Sequence, residues 1–164
     1  MHLKNKRLYL LLIALLIAAD QASKWLLVKF LPLEGTRVVV KGFFRLWHVR
    51  NSGAVWGFFS GHDGGLVPKV ITGLAVAALV IVAWFFLRAG RGERLELTSY
   101  AFILGGALGN IIDRLRLGYV VDFLDAYVKN WHWPTFNVAD SCITIGVLLL
   151  ALSLLKRENK CTPS

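Results

Sequence analysis

Four segments of this chain are apolar for about the length a helix needs to cross a bilayer, and that constrains its fold more than anything else in the sequence. A hydrocarbon core of about 30 Å takes roughly 20 helical residues. Residues 8–30, 66–87, 95–112 and 138–155 supply such stretches, the last two short enough to predict spans with little tilt. No water reaches backbone N–H and C=O groups in lipid, so each segment has to be helical. Composition agrees, since 56% of the 164 residues are hydrophobic and only 18% are charged. The mean hydropathy of +0.58 is too high for a soluble domain of this size. The expected fold class is an all-α membrane protein with four transmembrane helices, forming one integral membrane domain over residues 1–164.

A formal net charge of +9 raises the question of nucleic acid. The cations are scattered among apolar spans and form no basic face, so no nucleic-acid partner is expected. They read instead as topology signals. Lys4, Lys6, Arg7, Arg88, Arg91, Arg94, Lys156, Arg157 and Lys160 crowd the span ends on one side. On the other side Arg37, Lys41, Arg45, Arg50, Arg114, Arg116 and Lys129 are spread along longer loops. This density places both termini in the cytoplasm. The basic start and the apolar run to Ala19 also have the form of a secretory signal peptide, but the apolar pattern resumes after Asp20 at Trp25, which favours one retained helix. The two cysteines, Cys142 and Cys161, give no disulfide or metal framework, and a packed free thiol is the expectation.

Residues 31–65 have a different texture, with 37–41 and 43–50 reading as short strands joined by a turn at Gly42. Two such strands are not independently stable, so this small extracytoplasmic β-rich appendage should rest on the helices and the lipid interface. Phe43, Phe44, Trp47, Trp56, Phe58 and Phe59 suit the headgroup zone, as do Tyr119, Tyr127, Trp131, Trp133 and Phe136 in the second outer loop. Asn51-Ser-Gly-Ala reads as a tight turn. The second span has no ionisable group beyond Lys69 and reads as scaffold, and Gly105 and Gly109 have the spacing of close helix packing.

With the amino terminus inside, the unusual polar residues all reach the outer face: Asp20, Lys24, Asn51, Asn110, Asp113, Arg114, Asp122, Asn137 and Asp140. A carboxylate where the chain enters lipid is expensive, about 2.5 to 3.5 kcal/mol at a helix centre, so its default reading is functional. Asn110, Asp113 and Arg114 share one face if the helix continues that far, and Asn137 and Asp140 are three apart. Asp20 and Lys24, at i and i+4, can neutralise each other and serve only as a brace. Ser23 and Lys24 are helix neighbours that diverge by about 100°, which disfavours a serine-lysine protease. The four histidines (His2, His48, His62, His132) have no metal-ligand spacing, no Ser-His-Asp order is apparent, and no metal or cofactor is expected. That leaves carboxylates. Asp113 adjoins Arg114 and suits pairing with it, while Asp125 reads as solvated. Asp122 and Asp140 remain, and two aspartates sharing a proton can serve as base and acid together. Intramembrane carboxylates also mark ion pathways, so a small proton-coupled transport component stays open, although no ladder of carboxylates crosses the bilayer.

Asp20-Gln-Ala-Ser-Lys24, Asn51-Ser-Gly-Ala, Gly105-Gly-Ala-Leu-Gly-Asn-Ile-Ile-Asp-Arg114, Val121-Asp-Phe and Phe136-Asn-Val-Ala-Asp-Ser141 together resemble the lipoprotein signal peptidase (signal peptidase II) family, in its order and over essentially the whole chain. The resemblance implies a membrane aspartyl endopeptidase of the bacterial inner membrane. Such an enzyme cleaves the signal peptide from a diacylglyceryl-modified prolipoprotein just before the lipidated cysteine. On that resemblance the catalytic aspartates are Asp122 and Asp140. Asp20, Lys24, Asn51, Asn110, Asp113, Arg114 and Asn137 are substrate-binding or supporting residues. The implied partners are the lipidated substrate and membrane lipid, with no cofactor and a monomeric chain. The small-residue face at 105–109 is expected to open a peptide groove under a movable aromatic outer loop. The alternative is a non-catalytic membrane module that binds lipidated peptides without cutting them.

Overall fold

In a computed structural model, which describes residues 6–53, 66–90 and 92–161, the chain folds as four helices and a four-stranded antiparallel sheet at one end of them. The helices are α1 (Arg7–Phe30), α2 (Leu66–Arg88), α3 (Arg94–Leu117) and α4 (Val138–Cys161). Each is long and apolar enough to cross a membrane. Half of the apolar window of α3 is buried against 6% of that of α2, so α3 is the axis of the bundle and α2 a lipid-facing outrigger. Of the sequence features above, His2, Lys4, Trp56, Phe58, Phe59, His62 and Arg91 lie outside the described residues, as do the side chains of Arg157, Lys160 and Cys161. Cys142 is a free, buried thiol.

Glycines let α1 and α4 close onto α3. A Cβ on Gly105 would stand 2.9 Å from Leu16 Cβ, one on Gly106 2.3 Å from the Ala139 carbonyl oxygen, and one on Gly109 2.6 Å from Asp20 Oδ2. This overturns the expected groove: the 105–109 face is filled by α1 and α4, and packing is its role. The third span also runs further than its apolar stretch, to Leu117, where Gly118 at φ 81 donates its N–H to the Arg114 carbonyl (3.1 Å). Asp113, Arg114 and Arg116 end the apolar run without ending the helix. At the opposite end of the bundle, Lys6 Nζ donates to the Phe86 and Leu87 carbonyls, satisfying the last turn of α2.

The sheet runs β1 (Thr36–Val40), β2 (Phe44–Asn51), β3 (Val120–Val128) and β4 (Trp131–His132). The first two strands and their turn at Gly42 (φ 81) fall within a residue or so of where the sequence put them. The other two come from the second loop, so the appendage is not a hairpin of residues 31–65 alone. Strand β3 hides from a period-2 reading because its first four residues are all buried. Its pairing with β2 sets Asp122 opposite Val49 and Asp125 opposite Arg45, and an isolated bridge from Leu124 to Phe136 ties it to the start of α4. That bridge delivers Asp122 to the first turn of α4.

Gly106→Ala is expected to destabilise the protein by about 1 to 3 kcal/mol, because the added methyl meets a helix backbone. Gly73→Ala, on α2 with nothing within 4 Å, serves as the neutral control in the same thermal denaturation in detergent.

Candidate active site

The polar site is built outward from the beginning of α4. Asn137 caps that helix: its Oδ1 accepts the Asp140 N–H (2.9 Å), and Asp140 Oδ2 accepts the Asn137 N–H (3.1 Å). The exchange is a capping box with amide and carboxylate in place of the usual pair. The neighbouring first-turn N–H, of Ala139, donates to Asp20 Oδ1 from α1 (2.9 Å). Because its oxygen is occupied by the cap, the Asn137 amide turns its nitrogen outward, donating to Asp122 Oδ1 (2.7 Å) and to Asn110 Oδ1 (3.2 Å). One side chain and its backbone therefore hold both aspartates.

The remaining carboxylate oxygens are met in the same way. Asn110 Nδ2 donates to Asp140 Oδ1 (2.8 Å), and Asn51 Nδ2 donates to Asp122 Oδ2 (2.8 Å). Asn51 is itself fixed by its Oδ1, which accepts the Gly53 N–H (2.9 Å). Each of the four oxygens thus accepts a hydrogen bond from a neutral amide donor, and among the described residues none is paired with a cation.

Cationic charge lies one layer behind. Lys24 Nζ has three donors and meets three acceptors: Asp20 Oδ2 (2.8 Å), Asp113 Oδ2 (2.8 Å) and Asn110 Oδ1 (3.0 Å). Asp113 in turn accepts from Gln21 Nε2 (2.8 Å) and from the Val121 N–H (3.2 Å), which locks α1, α3 and β3 together. Gln21 was not picked out from the sequence, although it sits beside Asp20 at the polar end of the first span. The expected pairing of Asp113 with Arg114 does not form, since adjacent helical residues point apart and Lys24 of α1 reaches Asp113 first. Arg114 is half-buried and, among the described residues, forms no side-chain hydrogen bond or ion pair, yet its charge acts on Asp140, Asp122 and Asp113.

Asp125 corrects another expectation. It is fully buried rather than solvated, because the β2–β3 register sets it against Arg45, whose Nε it accepts along with His132 Nδ1 (2.9 Å). The Arg45 guanidinium lies over the rings of Trp47 and Tyr127, making a structural knot across the sheet. Among the described residues no group of His, Cys, Asp and Glu is placed to hold a metal ion.

The Asp122 carboxyl is pushed up to about 7. Burial is the largest cause, the Asp140 charge adds to it, and the Asn51 and Asn137 hydrogen bonds and the Lys24 charge oppose it. At neutral pH this group is poised between its two protonation states.

Four apolar helices with an oriented pair of buried carboxylates under an end-on sheet define a multi-pass membrane protein with a polar cluster at one end of its helix bundle. Two solved bacterial membrane enzyme structures, obtained by the in meso method at 2.3 and 1.9 Å, share this architecture. The first has TM-score 0.82 and 29% identity, covering 95% of this chain and 92% of that one; the second has 0.78 and 30%, covering 90% and 92%. The sequence pattern of the signal peptidase (SPase) II family matches residues 12–156. The chain belongs to that family. Its relatives include the lipoprotein signal peptidases of Alteromonas mediterranea (41% identical, over 93% of this chain and 82% of the relative) and Syntrophotalea carbinolica (42%, over 92% and 94%). It is a signal-peptide-cleaving protease that crosses the bacterial inner membrane with four helices.

Lys24→Met is expected to cost about 3 to 5 kcal/mol, since it leaves Asp20 and Asp113 buried without their cation. Adding Asp20→Asn and Asp113→Asn should recover part of that loss in thermal unfolding, whereas a purely steric role for Lys24 would leave the triple variant worse.

Proposed function

We propose that the protein is an aspartyl endopeptidase that removes the signal peptide from diacylglyceryl-modified prolipoproteins, cutting just before the lipidated cysteine, with Asp122 and Asp140 as its catalytic pair. The observation that carries this reading is the double grip of Asn137, which donates to Asp122 and exchanges cap hydrogen bonds with Asp140. A residue so placed holds two carboxyl groups in one register while neutralising neither. In the reaction one ionised carboxylate takes a proton from water as its oxygen attacks the scissile carbonyl carbon. The other, protonated, carboxyl gives its proton to the carbonyl oxygen. Collapse of the resulting diol breaks the C–N bond: the leaving amine takes the proton that the first carboxyl gained from water, and a diol hydroxyl returns its proton to the second carboxylate. The pair needs one proton between them, and that proton belongs to the pair. Arg114, which forms no side-chain hydrogen bond or ion pair among the described residues, is assigned to a backbone carbonyl of the bound peptide.

Topology supports the substrate assignment. Lys6, Arg88, Arg94 and Lys156 stand at the end of the bundle away from the sheet, and this density of cations favours a reading with the termini in the cytoplasm and the aspartates toward the outer face. A diacylglyceryl-cysteine keeps its acyl chains in the bilayer, so its scissile bond is presented at that interface, where the pair lies. The relatives named lipoprotein signal peptidases favour the same substrate. A proton pathway is disfavoured, because the cluster stays at one end while Leu97, Ala101 and Leu104 fill α3 toward the other. The whole chain acts as one domain and as a monomer.

Asp122→Asn and Asp140→Asn are each expected to abolish release of the signal peptide from a lipidated prolipoprotein while leaving the protein folded, read by mass in detergent. Binding of the lipidated peptide without cleavage by the unaltered protein would instead identify a binding module. The pH profile is a separate check. Asp122 keeps its proton up to about 7, so kcat/KM should fall about tenfold per unit as pH rises beyond that value and the shared proton is lost. A rate that stays level to pH 9 would rule out the shared-proton pair.

A further inference from the structure

A cavity lies on the other side of β3 from Asp122. It encloses about 320 Å³ between the last turns of α1 and the underside of the sheet, with Leu26, Leu27, Phe30, Leu46 and Phe123 as apolar walls and Arg37 among its lining residues. Ser23, which also lines it, has its hydroxyl committed to the Asp20 carbonyl (2.7 Å). Leu31 also lines it and is held in place, because His48 Nδ1 donates to its carbonyl (2.9 Å). The space is therefore preformed, lined mainly by apolar side chains and placed beside the last turns of α1.

Its polar equipment is cationic. The Arg37 side chain is exposed and, among the described residues, makes no hydrogen bond or ion pair. The Glu34 carboxylate accepts from Trp47 Nε1 (3.2 Å) and forms no ion pair with Arg37. A second cation, Lys29, sits 5.5 Å over the ring of Phe30, itself a wall of the cavity, and 4.9 Å over Trp25. An apolar slot lined by an exposed arginine, with a second cation stacked on one of its walls, matches a lipid that carries both an acyl chain and a phosphate. The diacylglyceryl group of a modified cysteine is uncharged, so these cations give it nothing to prefer.

We infer that this cavity is a binding site for an anionic phospholipid of the surrounding membrane, one acyl chain lying between α1 and the sheet and the phosphate held by Arg37. Leu27 and Phe123 belong to the cluster that fastens α1 to β3, so an occupying chain completes the packing behind the strand that carries Asp122. The inference rests on the membrane-spanning fold and stands independently of which residues cut the substrate.

The test is native mass spectrometry of the full-length protein, delipidated and then offered equal amounts of phosphatidylglycerol and phosphatidylcholine with matched chains. A single interfacial arginine is worth roughly a five-fold preference for the anionic lipid, from about 1 kcal/mol per cation. That part of the preference should vanish in Arg37→Gln, which alters an exposed side chain. The tightest-bound lipid should be lost in Leu46→Trp, which fills the slot. Equal retention of both lipids, or a preference unchanged in both variants, would overturn the site. So would displacement of the bound phosphatidylglycerol, one for one, by a diacylglyceryl-cysteine peptide, which would make the cavity a substrate subsite. Displacement by inorganic phosphate alone would refute the acyl-chain half of the assignment. Cleavage activity is not read in this experiment, so its failure leaves the catalytic proposal untouched.

Discussion

The structure depends on the burial of one ammonium between two carboxylates. Lys24 is almost wholly enclosed, and isolated it would be prohibitively costly at that depth. Asp20 and Asp113, with the Asn110 carbonyl, make it affordable, and each of those partners has a second commitment: Asp20 to the first turn of α4, Asp113 to β3 and Gln21, Asn110 to Asp140. The ion triad thus fixes the relative positions of α1, α3, α4 and the sheet at the end where apolar packing gives way to polar contact. Apolar side chains facing lipid gain little by moving from lipid to protein, so directional polar contacts of this kind specify the arrangement more sharply than hydrophobic burial does.

Placed against this frame, the aspartates occupy the opposite electrostatic situation. Their direct partners are all amides, with the cation one residue removed. Amide donors orient a carboxylate without holding it ionised as a bonded lysine would, so burial wins at Asp122 and its proton is retained toward neutrality. The same amides are ordinary structural devices: Asn137 is a helix cap, Asn51 an Asx turn. The local geometry that starts α4 and turns the chain after β2 also aims the carboxylates.

The sequence was legible where one physical signal acted alone. Spans follow from apolar length, β1 and β2 from branched and aromatic residues around a glycine, and the polar cluster from the cost of charge near lipid. It was less legible where two signals competed. Val120 to Tyr127 mixes acidic and apolar residues and is buried on both faces, so it carries no alternation and reads as loop; only its wealth of Val and aromatic residues hinted at a strand. Missing β3 made Asp125 look solvated and hid its match with Arg45. The partner of Asp113 was misassigned because sequence adjacency was weighed over helix geometry, and Gln21 was overlooked because a neutral amide in a span costs less than a charge. The 105–109 stripe could be read as close packing or as an open face, and only the positions of Leu16 and Asp20 decide between them.

The parts that meet around the carboxylates come from distant stretches of chain. Asn51 follows the first span, Asn110 lies within the third about two turns before its end, Asp122 lies in the loop after it, and Asn137 and Asp140 begin the fourth. Strands β2 and β3, whose pairing aligns them, belong to separate loops on the same side of the bilayer. During synthesis these pieces reach that side in separate crossings. A nascent chain whose last hairpin has not yet been threaded through the membrane has one half of the sheet and none of the grip on the second aspartate. Completion of membrane insertion is therefore itself the step that brings these polar side chains together.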